Sequence, residues 1–75
     1  MARVISFEAQ WDPEAEVWWT SSSGEEGIVT EAATVELLRE RLRLIVPDFL
    51  DAIGQKSDDI EIHLTVRMTD IIRAA

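Results

Sequence analysis

Residues 5–11 alternate apolar and polar side chains without a break. Ile5, Phe7, Ala9 and Trp11 fall on one face, and Ser6, Glu8 and Gln10 on the other. A period of two over that length predicts a half-buried β-strand. Asp12-Pro13 opens a polar segment that favours a turn. Val17, Trp18, Trp19 and Thr20 then read as the returning strand of a hairpin, rich in β-formers. Alternation along that strand separates Val17 and Trp19 from Trp18. The reading expects Trp11 and Trp19 in the core, where truncating either would cost ~3–5 kcal/mol, and Trp18 on the opposite face of the sheet. A loop of serine, glycine and glutamate fills residues 21–27, and Ile28, Val29 and Thr30 form a short third strand. Hairpin and third strand together span residues 3–31.

Beyond residue 31 the period changes. Leu38, Leu42, Ile45, Phe49 and Ile53 recur every three or four positions and predict one apolar stripe on a helix over residues 34–54. Thr34 is suited to the N-cap, Glu36 to the positive end of the helix dipole, and Gly54 to the C-terminal cap. Pro47 would free the Arg43 carbonyl, so the expected helix is kinked or broken there. The last strand, residues 59–69, is the clearest: Ile60, Ile62, Leu64, Val66 and Met68 alternate with Glu61, His63, Thr65, Arg67 and Thr69. The order β-β-β-α-β predicts a single α+β domain over residues 1–75, a two-layer arrangement with an antiparallel or mixed sheet covered on one face by one helix. Its other sheet face would be bare. Ile71 and Ile72 have no evident slot, and the pattern does not fix the conformation of residues 70–75.

Composition narrows what such a domain can do. A chain of 75 residues buries only about 60% of the surface that its unfolded form exposes. It has no cysteine, which excludes disulfides and thiolate metal sites as staples. A second copy or a partner is then the expected stabiliser. Fifteen acidic residues against seven basic ones give a formal charge of −8, so nucleic acid and anionic membranes are poor partners, whereas a basic protein would be attracted. Residues 1–4 open straight into the strand pattern without a signal-like apolar run, and no stretch approaches a membrane span. With the missing cysteines, this predicts a cytoplasmic protein.

Candidate chemistry is sparse. His63 is the sole histidine and sits on the polar side of the last strand, where a surface role is the simpler reading than a ligand or base. The carboxylates of Asp12, Glu14 and Glu16 and of Asp58, Asp59 and Glu61 are of the type that holds Mg²⁺, but acidic turns and solvated strand ends account for them more cheaply. Ser21, Ser22 and Ser23 have no histidine base nearby in sequence, and Gly24-Glu25-Glu26-Gly27 places negative charge where a phosphate loop needs a lysine. Arg39, Arg41 and Arg43 are interleaved with Glu36 and Glu40 and make no basic stripe. The expectation is therefore no enzyme, no cofactor and no metal. Candidate contacts to a partner are Trp18, since exposed tryptophan is enriched at binding hot spots, and the loop acids Glu25 and Glu26.

The string Trp11-Asp12-Pro13-Glu14-Ala15-Glu16-Val17-Trp18 is followed by Gly27-Ile28-Val29-Thr30-Glu31-Ala32 and Thr34-Val35-Glu36-Leu37-Leu38, and later by Val46-Pro47-Asp48-Phe49-Leu50. This series resembles a small bacterial branch, of unknown function, of the HicB-like antitoxin superfamily, over residues 3–54. The resemblance implies the β-β-β-α-β fold, homo-oligomers (dimer or higher) and the neutralisation of a small basic RNA-cleaving toxin by protein–protein contact. Two departures limit it. Gly24-Glu25-Glu26-Gly27 stands where the family tends to carry Asp-x-Pro-Gly, and no DNA-binding segment follows within the sequence, so operator binding is not carried over. Two other readings remain beside it: an orphan homo-oligomeric domain without a toxin, and a Mg²⁺-dependent enzyme.

Overall fold

The structure is a computed structural model that describes residues 2–24, 27–56 and 58–74. Strands β1 (Ala2–Asp12), β2 (Val17–Ser22) and β3 (Val29–Ala32) precede helix α1 (Val35–Ala52), and strand β4 (Asp59–Val66) closes the order β-β-β-α-β. The four strands form one mixed sheet in the order β3-β2-β1-β4, with β1 antiparallel to β2 and parallel to β4. A parallel neighbour requires a crossover, and α1 supplies it while covering one face of the sheet.

Register decides which side chains meet that helix. Phe7 pairs with Ser22, Ala9 with Thr20 and Trp11 with Trp18, while Ile5 pairs with Ile62 and Phe7 with Leu64. Directly paired residues point the same way, so Ile5, Phe7, Ala9, Thr20, Ile62 and Leu64 share the helix side. Ile5, Phe7, Ile28, Leu42, Val46 and Leu50 make the core, with Ile45, Phe49, Ile60, Ile62 and Leu64 packed around it. Thr20 is the buried polar exception among the described residues; its hydroxyl donates to the Glu8 carbonyl at 2.8 Å, which satisfies it.

The tryptophans of β2 lie opposite to the expectation. Trp18 is on the helix side beside Trp11, and Trp19, paired with Gln10, faces the bare side. The alternation within each strand is as expected; what differs is the pairing between them. Four residues, 13–16, form the turn: Asp12 Oδ1 accepts from the Glu14 and Ala15 amides at 3.0 and 3.3 Å, and the Glu16 amide donates to the Asp12 carbonyl at 2.8 Å. Glu16 closes the turn with φ of 56°, in the left-handed region. That loop aligns Trp11 with Trp18, and a shift of one residue flips every side chain to the other face. Trp11 lies at the hairpin end of the sheet and remains 44% exposed, so it is not a core residue.

The helix also differs in detail. Its buried positions are Leu38, Leu42, Val46 and Leu50, a row four residues apart. Ile45 and Phe49 flank that row half-buried, and Ile53 lies beyond the last turn, largely exposed. Pro47 does not break α1, which runs unbroken from Val35 to Ala52. It occupies an exposed position between two buried ones, Val46 and Leu50, that anchor the helix to the sheet on either side of it. Thr34 caps the start, its Oγ1 accepting from the Leu37 amide at 3.1 Å. At the other end Gly54, with φ of 76°, donates to the Asp51 carbonyl, and the Gln55 amide donates to Leu50. This is the Schellman arrangement, for which a glycine suits the left-handed position. Strand β4 ends at Val66, three residues before the predicted Thr69.

Candidate protein-binding surfaces

The sheet face away from α1 is bare among the described residues. By register, one row across it reads Glu31, Trp19 and Gln10, and the next reads Val29, Ser21, Glu8 and Thr65. Further along lie Ser6 with His63 and Val4 with Glu61. Trp19 is half-buried among these neighbours, while Val4 and Val29 are exposed at 51% and 68%. The face therefore carries Trp19 with Val17 and Val29 beside the carboxylates of Glu8 and Glu31, and Val4 with Glu61 about 20 Å away at the other end of β1. His63 Nε2 lies 2.6 Å from Glu61 Oε2, and both side chains are more than half exposed. On such a surface the pair contributes little to stability.

A second apolar surface lies at the hairpin end, on the helix side. The rings of Trp11 and Trp18 are 5.5 Å apart and tilted by 56°, a spacing and tilt typical of aromatic pairs. With Met68, Thr69 and Asp70 they line a bay of about 280 Å³. Trp18 is thus half-buried against Trp11, and it is Trp19 that occupies the bare face assigned to Trp18 from the sequence. The other two predicted contacts, Glu25 and Glu26, lie outside the described residues. Trp19 was missed because its face depends on the pairing of two strands, which alternation within one strand does not encode.

Two of the remaining candidates have structural roles. Asp12 holds the hairpin turn through the two amide bonds given above. Ser22 Oγ accepts from the Ile28 amide at 3.1 Å, and the Ser22 amide donates to the Ile28 carbonyl, which closes the loop before β3. Arg39 and Arg43 flank a groove of about 210 Å³ floored by Leu42, Ile60, Ile62 and Leu64. Among the described residues no group of three or more histidine or acidic side chains is placed to hold a metal ion. No helix among them is long and apolar enough to cross a membrane.

Fold and surfaces together define a small α+β domain, a mixed four-stranded sheet with one helix on one face. The chain belongs to the family described as a domain of unknown function, DUF1902, which matches residues 4–73. It is similar to the hypothetical protein TTHA1013 of the extremely thermophilic bacterium Thermus thermophilus, known from a crystal structure. The two share 34% identity and superpose with a TM-score of 0.77, over 93% of this chain and 100% of the other. No curated protein matches. Neither the family description nor that structure names a HicB-like antitoxin.

Proposed function

We propose that this chain is a protein-binding module and not an enzyme, and that the bare sheet face receives a small basic protein. One observation carries the reading: a face that presents Trp19 with Val17 and Val29 beside Glu8 and Glu31. An aromatic with apolar neighbours supplies the desolvated centre of an interface. The carboxylates around it, on a chain of net charge −8, would steer a cationic partner and disfavour nucleic acid. The HicB-like resemblance of the sequence suggests the kind of partner, a basic RNA-cleaving toxin, which the domain would neutralise by covering it. Of the candidate carboxylates and serines, Asp12 and Ser22 serve a turn and a loop closure.

The test is affinity capture with the full chain from its native cells, at low and at high salt, beside a triple variant, Glu8→Gln, Trp19→Ser and Glu31→Gln. A small basic protein should be retained by the wild type, released by salt and absent from the variant. Equal retention by the variant would remove the bare face from the proposal, and capture of no basic protein would remove the toxin.

A further inference from the structure

The two edges of the sheet differ. Strand β3 is four residues long, and a strand so short is a poor template for another chain. Strand β4 runs for eight residues, Asp59–Val66, without proline or lysine, and its register against β1 is continuous, so no bulge interrupts it. The usual devices that blunt an edge are missing there. Backbone alternation decides what its outer side offers. The Arg67 amide donates to the Ala9 carbonyl, so the odd-numbered residues of β4 turn their amides and carbonyls toward β1. Ile60, Ile62, Leu64 and Val66 turn theirs outward, where no described strand pairs with them.

The side chains along this edge fit a reversed copy of themselves. On the helix side, Ile60, Ile62 and Leu64 are half-buried and floor the groove beneath Arg39 and Arg43. Helix α1 thus stands back from β4 and leaves room for another strand. On the bare side the order Asp59, Glu61, His63, Thr65, Arg67 runs from acidic to basic. Antiparallel pairing centred on His63 sets Asp59 opposite Arg67 of the second copy and Glu61 opposite Thr65. It also sets Ile60 opposite Val66 and Ile62 opposite Leu64, the residues whose backbone groups point outward. Opposite charges and aliphatic pairs across strands are each stabilising. Moving the centre to Ile62 would set Asp58 against Val66, and moving it to Glu61 would set two carboxylates face to face.

We infer that two copies of this chain pair along β4, antiparallel about a two-fold axis at His63, and form one continuous eight-stranded sheet. The axis is perpendicular to the sheet, so both helices lie on one side and both bare faces on the other. The contact is isologous and closed, and it removes the free edge while the aliphatic floors of the two grooves cover one another. Trp19, on β2, is two strands away from β4. The face proposed for the basic partner therefore stays open, and each reading can fail without the other.

Absence of native cysteine makes the pairing directly testable on the full chain. On mild oxidation His63→Cys should link to itself, since a pair on the axis has Cα atoms about 4.5 Å apart, within disulfide reach. Glu61→Cys and Thr65→Cys should each resist self-linking, their two copies lying ~13 Å apart along the strands, and should form the mixed disulfide when combined. Separately, sedimentation equilibrium of Arg67→Glu should show a dimer dissociation constant raised about 10-fold, and Asp59→Lys/Arg67→Glu should restore it. All these positions are exposed, so the circular dichroism spectrum should not change. A wild type that is monomeric at tens of micromolar, its edge then open to a strand of some other protein, would overturn the inference. So would self-linking of Glu61→Cys or Thr65→Cys in preference to the mixed bond, or a dimer indifferent to the charge reversal.

Discussion

Replacing Pro47 by alanine should stabilise this domain. The prediction follows from a conflict visible within α1. Leu42, Val46 and Leu50 are 1% exposed or less and hold the helix to the sheet on both sides of residue 47. Pro47 itself sits exposed among them and gives the Arg43 carbonyl no amide. A proline inside a helix is about 3 kcal/mol less favourable than alanine. Alanine also releases unfolded-chain entropy that proline had restricted, an offset of roughly 0.4–1 kcal/mol. The net gain is about 2 kcal/mol, and for a domain of this size each kcal/mol moves Tm by roughly 4–8 °C. Pro47→Ala should therefore melt about 8–16 °C higher by circular dichroism at 222 nm. Its urea midpoint should rise with an unchanged slope. An unchanged or lower Tm would refute the reasoning: the proline would then be seated without cost, and core packing would not be holding the helix against it.

Three further outcomes follow from the same structure. Phe7→Ala should cost about 3–5 kcal/mol, whereas Trp11→Ala should cost clearly less because Trp11 is 44% exposed and Phe7 is 2% exposed; paired urea titrations give the order, and a reversed order would contradict the register. Glu16→Gly should gain about 1 kcal/mol by relieving a left-handed residue at φ 56°, again read from the urea midpoint. Thr34→Ala should lose about 1 kcal/mol with its bond to the Leu37 amide, and thermal melts suffice to see it.

How far the fold can be read from the chain depends on the range of the physics involved. Alternation at Ile5, Phe7 and Ala9 and along β4, and the caps at Thr34 and Gly54, are set by neighbours a few residues away and are legible directly. The facing of Trp18 and Trp19 is not. It depends on how Asp12 and Glu16 close the turn, and an error of one residue there inverts the whole of β2. Pro47 illustrates the same division: local propensity argues for a kink or a break, and the burial of Val46 and Leu50, a tertiary effect, keeps the helix continuous through it. Val46 and Leu50 do not stand out from Ile45 and Phe49 in the sequence, because an apolar band this wide fits more than one helical stripe. The candidate surfaces follow the same division. Their acidity is plain in composition, but the row Glu31, Trp19 and Gln10 exists only once three strands are paired. Ile71 and Ile72 are conspicuous in sequence as apolar residues without a slot, and in the structure they are 86% and 91% exposed.

Whether the bare sheet face binds a basic protein is measured most directly by calorimetric titration of the captured basic protein into the wild type and into the variant carrying Glu8→Gln, Trp19→Ser and Glu31→Gln. Salt-sensitive binding to the wild type, and at least ~100-fold weaker binding to the sheet-face variant, are expected. Undiminished binding to the sheet-face variant would contradict the proposed interface.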